Sequence, residues 1–213
     1  MTRKILISFI FSLLIISSSY AACFKSSNNG IRIDSSPNSG CDITDSLTFY
    51  SNQNGDLNSL IAGGGDRGYS MHFKVDRDQE SLSRDQILFS FYEDDDDLSA
   101  IAVAGIKASG EFFYVHGADS ASNNGILVEI QNDDAFSDSH VIIIVYDQNR
   151  EKLTVNIDGN ESSISNISPI TVSKISKMEI GKDFSGIIDH FKTYATRISP
   201  NEREETIKIL ANK

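Results

Sequence analysis

From residue 47 to residue 195 the chain repeats one pattern: a short run rich in β-branched and aromatic residues, then a cluster of Asn, Asp, Ser or Gly. The runs are LTFY (47–50), YSMHFKV (69–75), QILFSFYE (86–93), SAIAVAGIK (99–107), GEFFYVHG (110–117), GILVEIQ (125–131), HVIIIVYD (140–147), KLTVNIDG (152–159), KMEIG (177–181) and GIIDHFKTYA (186–195). Side chains of this kind suit a pleated, half-buried surface, and the small polar residues between them supply turns. No helical periodicity fills the gaps, so the connections are loops rather than crossover helices. That predicts an all-β chain, an antiparallel sandwich or barrel.

VYDQNREKLTVNIDGN reads as a hairpin, with one turn over Asp147 to Arg150 and a second at Asp158-Gly159. One short C-terminal α-helix is also legible. Ser199-Pro200-Asn201-Glu202 has a capping Ser, a Pro at the first helical position and a Glu that reaches back to the cap. Ile198 precedes it as a staple, and Ile207, Leu210 and Ala211 form an apolar stripe. A helix from about 200 to 211 is therefore expected to lie against the sheet. No repeat or linker divides the body of the chain.

The first 22 residues have the form of a secretory signal peptide: Arg3 and Lys4, an apolar run from Ile5 to Ile16, then small residues ending in Ala21-Ala22. The expected organisation is 1–22 signal peptide, 23–43 N-terminal segment, and 44–213 sandwich domain, with no transmembrane segment in the mature chain. Loss of the signal takes the formal charge from −11 to −13. Such a surface opposes nucleic acid and anionic membrane but can collect cations. In an exported chain the two cysteines, Cys23 and Cys41, read as a disulfide. The competing reading is a lipidated Cys23, since YAAC resembles a lipobox, although Tyr20 stands where Leu, Val or Ile is preferred.

The tail MEIGKDFSGIIDHFKTYATRISPNEREETIKIL combines an I-G strand end, F-x-G, an I-D-x-hydrophobic strand, a Y-x-x-x-hydrophobic-S element and a short acidic helix. Upstream lie a strand–turn–strand, HVIIIVYDQNREKLTVNIDGN, and an aromatic-rich strand with its loop, YSMHFKVDRDQESLSRDQILFSFYED. Over residues 44–213 these segments resemble laminin-G-like domains of the concanavalin A-like lectin/glucanase superfamily. Phe73 and His140 stand where that family frequently has Trp, and this chain has none. The resemblance implies a concanavalin A-like jelly-roll sandwich. Its members bind sugars, proteins, lipids or calcium, and some hydrolyse glycans.

Asp189-His190 is the one place where an acid adjoins a histidine. Successive side chains of a strand point to opposite faces, so these two are expected on opposite sides and not as a catalytic dyad. His72, His116 and His140 each sit in or beside an apolar run, and neither H-E-x-x-H, H-x-H nor G-x-S-x-G occurs. Glycan hydrolysis needs two carboxylates on one face. Related glucanases supply them as E-x-D-x-x-E or E-x-D-x-E, and neither run is present.

Asp133, Asp134 and Asp138 form one acidic loop, and Glu93 to Asp97 forms another. Flexible carboxylate-rich loops can ligate calcium, as laminin-G-like domains do at the sandwich rim, and the same composition suits a solvated turn. The first loop is the candidate metal site. Tyr92, Asp96 and Tyr114 are the candidate ligand-binding residues, the tyrosines because a sugar platform in a chain without Trp must be Tyr or Phe. The expected function is a secreted, non-catalytic recognition module that binds a glycan or protein surface, with calcium as its one candidate cofactor. The alternative is an exported glycoside hydrolase of the same fold.

Overall fold

A computed structural model describes residues 24–26, 30–33, 47–50, 68–77, 85–93, 100–117, 125–128, 139–170, 175–182, 184–194 and 197–211. The signal segment, Cys23, Cys41, Asp96, Asp133, Asp134 and Asp138 lie outside the described residues.

The strands are β1 (Phe24–Ser26), β2 (Gly30–Ile33), β3 (Leu47–Tyr50), β4 (Gly68–Arg77), β5 (Gln86–Tyr92), β6 (Ala100–Ile106), β7 (Phe112–His116), β8 (Gly125–Val128), β9 (His140–Asp147), β10 (Lys152–Ile157), β11 (Asn160–Ser165), β12 (Lys177–Ile180) and β13 (Gly186–Tyr194), followed by helix α1 (Pro200–Ala211). They form a seven-stranded sheet, β1-β2-β13-β4-β9-β10-β11, and a six-stranded sheet, β3-β12-β5-β6-β7-β8. Every pairing is antiparallel. The two sheets face each other as a sandwich.

Alternation decides which side chains fill the space between them. From the seven-stranded sheet come Tyr69, Met71, Phe73, Val75, Ile142, Ile144 and Tyr146; from the other come Phe89, Phe91, Ala102, Ala104, Phe112 and Tyr114, all buried. The centre is an aromatic cluster in which the Phe89 ring lies 5.4 to 6.3 Å from those of Phe73, Phe91, Tyr114 and Phe191.

The sequence HVIIIVYD is continuous rather than alternating because β9 is buried on both faces. Ile142, Ile144 and Tyr146 face the core, whereas Val141, Ile143 and Val145 lie under α1, against Leu210, Ile207 and Ile198. The helix is anchored by Lys74, whose ammonium donates to the Leu210 carbonyl at 3.3 Å, and by an Arg203–Glu161 ion pair at 3.2 Å.

Its start is a reciprocal capping box: the Ser199 amide donates to Glu202 Oε2 (2.8 Å), and the Glu202 amide donates to Ser199 Oγ (3.3 Å). Ser199→Ala removes one of the two bonds. It should lower stability by about 1 kcal/mol in urea denaturation, and an unchanged midpoint would show that the hydroxyl caps nothing in solution.

The turn at Asp158-Gly159 joins β10 to β11 with φ 51° and 96°, both in the left-handed region that a tight hairpin of right-handed twist requires. Asp158 is held there by its carboxylate, which accepts from the Val141 amide at 2.8 Å and lies 2.6 Å from His140 Nδ1. This is a true histidine–carboxylate contact, and it joins residues 18 apart.

At Asp189-His190 the alternation rule fails. The register of β13 against β4 shifts between Asp189 and Lys192, and His190 adopts φ 51°. This bulge turns His190 back toward its neighbour: the His190 amide donates to Asp189 Oδ1 at 2.7 Å, and His190 Nε2 stands 3.7 Å from Asp189 Oδ2. The expectation of opposite faces is thus corrected, since a bulged residue does not obey the period of two.

Candidate functional site

The outer face of the seven-stranded sheet is covered at β9 by α1. The six-stranded sheet shows a different outer face, which its registers lay out in rows. One row runs Glu179, Ser90, Val103, Val115 across β12, β5, β6 and β7; beside it lie Lys177 and Tyr92 on one flank and Ile87, Gly105 and Phe113 on the other.

The β12–β5 end of this face is polar and closed. Glu179 Oε2 accepts a hydrogen bond from the Tyr92 hydroxyl at 2.7 Å and lies 3.9 Å from the Lys182 ammonium, while Oε1 lies 3.5 Å from the Lys177 ammonium. The Lys177 ammonium also sits 4.3 Å above the centre of the Tyr92 ring. Tyr92, Lys177, Glu179 and Ser90 are buried. Two charges on the side of a strand away from the apolar core persist only when they are paired and hydrogen-bonded, and here each is.

The β6–β7 end is apolar and open. Val103, Val115 and Phe113 are half-buried. The Phe113 ring leans across β6 into the space that a side chain at 105 would fill: a Cβ on Gly105 would stand 2.5 Å from Phe113 Cζ and 2.5 Å from the Gln86 carbonyl oxygen. Gly105 is therefore what lets the ring lie down on the sheet. A recumbent, half-buried ring beside two valines is able to stack on an apolar ligand face.

Of the sequence-derived ligand residues, Tyr92 belongs to this face and Tyr114 does not. Tyr114 is fully enclosed between the sheets, one residue out of phase with Phe113 and Val115. Its hydroxyl lies 2.6 Å from that of Tyr69, which is 2.6 Å from His116 Nδ1; His116 Nε2 in turn meets the Ser168 carbonyl at 2.9 Å. Burial pushes the His116 imidazole down to about 4 and the Tyr69 and Tyr114 hydroxyls well up.

Sequence reasoning missed Phe113, Gly105, Lys177 and Glu179. For the last two a signal existed: in KMEI two charged residues alternate with two apolar ones, the signature of a strand with a polar outer face. Among the described residues no group of three or more His, Cys, Asp or Glu is arranged to hold a metal ion, and no helix is long and apolar enough to cross a membrane.

No family model matches the sequence, and no curated protein matches it. Solved structures do match the fold. The Ruminococcus gnavus IT-sialidase CBM40 superposes with a TM-score of 0.63 at 10% identity, over 84% of this chain and 96% of that one. The same module bound to α2,3 sialyllactose gives 0.61 at 10% identity, with the same coverage. Trypanosoma rangeli sialidase in complex with sialic acid gives 0.62 at 13% identity, over 87% of this chain. This chain spans only 28% of the length of that sialidase. The protein shares with these structures a concanavalin-like, jelly-roll β-sandwich.

Proposed function

We propose that this protein is a non-catalytic, exported glycan-binding module whose ligand lies on the outer face of the six-stranded sheet. The observation that carries this reading is the Phe113 ring lying over Gly105, beside Val103 and Val115 on the same outer face. Sugars present C–H faces that stack on aromatic rings, and this face offers a half-buried ring for one. The fold shared with CBM40 modules, one of them solved with sialyllactose, supports the same class of ligand. The laminin-G-like affiliation of residues 44–213 belongs to the same proposal. Hydrolysis is the weaker reading because Glu179, the carboxylate at the polar end of this face, is held by one hydroxyl and two ammonium groups.

Binding is tested on a glycan array, followed by calorimetry with the best sugar. Phe113→Ala should weaken affinity roughly tenfold, about 1.4 kcal/mol, which is the scale of one lost aromatic contact. Full affinity in that variant, with its melting temperature unchanged, would move the ligand to another face. Calcium at Asp133, Asp134 and Asp138 is a separate element of the proposal. Calcium should raise the melting temperature of the native chain, because an ion bound only to the folded state stabilises it, and the Asp133→Asn, Asp134→Asn, Asp138→Asn triple variant should lose that rise. A rise that survives the triple substitution would place the ion elsewhere.

A further inference from the structure

The segment after β11, residues 166–170, crosses one end of the sandwich and is bonded to both sheets. The Ile167 side chain is buried in the core. Its carbonyl accepts from the Tyr146 hydroxyl of β9 at 3.0 Å, and its amide donates to the Glu151 carbonyl at 2.9 Å. One residue on, the Ser168 carbonyl meets His116 of β7. The segment is a strap tied to the seven-stranded sheet through Tyr146 and to the six-stranded sheet through His116.

The direction of every proton in the second tie can be deduced. A carbonyl only accepts, so His116 Nε2 carries a hydrogen and donates to Ser168. In the neutral ring Nδ1 is then an acceptor, so the Tyr69 hydroxyl donates to it at 2.6 Å. The Tyr69 oxygen is left to accept from Tyr114. The line runs Tyr114 to Tyr69 to His116 to the Ser168 carbonyl, with each hydroxyl and each ring nitrogen satisfied. The Tyr146 ring closes over His116 with centroids 4.3 Å apart, and the Tyr69 ring stacks at 5.8 Å.

We propose that this line is a proton-sensitive latch: a second proton on His116 breaks it and frees the strap at residues 166–170 while the two sheets stay paired. A proton on Nδ1 turns that atom from acceptor to donor. Tyr69 can then turn its hydrogen only onto the Tyr114 oxygen, so that one hydroxyl hydrogen of the line, that of Tyr69 or of Tyr114, loses its acceptor inside a site walled by Tyr69, Tyr114 and Tyr146. A buried cation and an orphaned hydroxyl both carry a cost. Releasing the strap relieves them, because Ser168 is already exposed and the imidazolium then reaches water.

The groups facing His116 do not compensate the charge. Among the described residues they are Tyr69 from β4, Tyr114 from its own strand, Tyr146 from β9 and the Ser168 carbonyl from the strap. Asp147 and Glu151 act on Tyr146, and among the described residues neither bonds to His116. The sign follows from the two states. The closed latch holds the ring neutral down to about 4, whereas an opened one returns to the ordinary value near 6.5. The closed form is thus fully favoured above pH 6.5 and is lost as pH falls from 6.5 towards 4.

The test is amide hydrogen exchange by NMR on the full chain, corrected for intrinsic rates, together with the titration of the His116 ring. Opening at Ile167 should rise about 30-fold between pH 7.5 and pH 5, while Ile144 in β9 keeps its protection. His116→Gln keeps one acceptor and one donor without titrating, and should leave Ile167 opening flat across that range. If that variant does not fold, Tyr69→Phe provides the second arm: losing the donor to Nδ1 should raise the His116 midpoint and shrink the pH response of Ile167. An Ile167 response matched by Ile144 would mean global unfolding and overturn the latch. So would a response that persists in His116→Gln, or a native His116 midpoint near 6.5.

Discussion

Gly186→Ala should be among the most damaging single substitutions in this protein, lowering stability by roughly 4 kcal/mol or more. Gly186 opens β13 at φ 148°, a region L-residues rarely adopt. A Cβ there would stand 2.1 Å from the Asp76 carbonyl oxygen, 2.9 Å from Phe184 Cζ and 3.0 Å from the Arg77 Cα. Two of those three atoms are backbone of β4, so a rotamer change cannot clear them. Relief requires β13 to slide against β4, which would disturb the pairs Gly186–Arg77 and Ile187–Asp76. Urea denaturation measures the loss. A change below about 1 kcal/mol would mean that the strand start moves freely and that the close approach is not tight in solution.

Phe89→Ala is expected to cost about 4 kcal/mol, within the range for deleting a buried Phe. Among the described residues the ring lies beside four others and bridges the sheets, meeting Phe73 and Phe191 of the seven-stranded sheet and Phe91 and Tyr114 of its own. Its removal leaves a cavity lined by rigid rings that cannot collapse easily. Phe89→Leu should recover more than half of the loss, because most of the volume returns. Equal losses in both variants would point to edge-to-face ring geometry rather than volume as the main contribution.

Wherever a run is dense in β-branched and aromatic residues or a cap signature is complete, the fold was legible. HVIIIVYD and LTFY mark β9 and β3 to the residue, and the capping box places α1. β11 was missed because NESSIS lies at a sheet edge, faces water along most of its length and carries one apolar residue. Its turn, Asp158-Gly159, was visible, although the strand beyond it was not. β1 and β2 are FKS and GIRI, where one or two apolar residues stand among Lys, Ser, Gly and Arg, a weaker strand signal than LTFY.

The candidate site was legible in single residues only. Tyr92 stood out as an aromatic in a strand. Its tie to Glu179 depends on β5 pairing with β12 across 87 positions of sequence, and nothing local encodes that register. Phe113 and Tyr114 are chemically alike and adjacent, and only the phase of β7 sends one outward and the other into the core. The Asp189-His190 reading failed for the opposite reason: a period was assumed where a bulge interrupts it.

The two sheets also impose an order on how the chain can be completed. β13 fills the slot between β2 and β4, and β12 fills the slot between β3 and β5. Until those late strands exist, among the described strands β1 and β2 have only each other and β3 has no partner. Both interior slots present open hydrogen-bonding edges during synthesis, and they close only after residue 177 has emerged. Such long-range closure makes folding slow and leaves the nascent chain exposed to edge-to-edge association. A chain shortened before β12 therefore loses the strand that joins β3 to its sheet and the one that joins β1 and β2 to theirs, rather than merely a C-terminal tail.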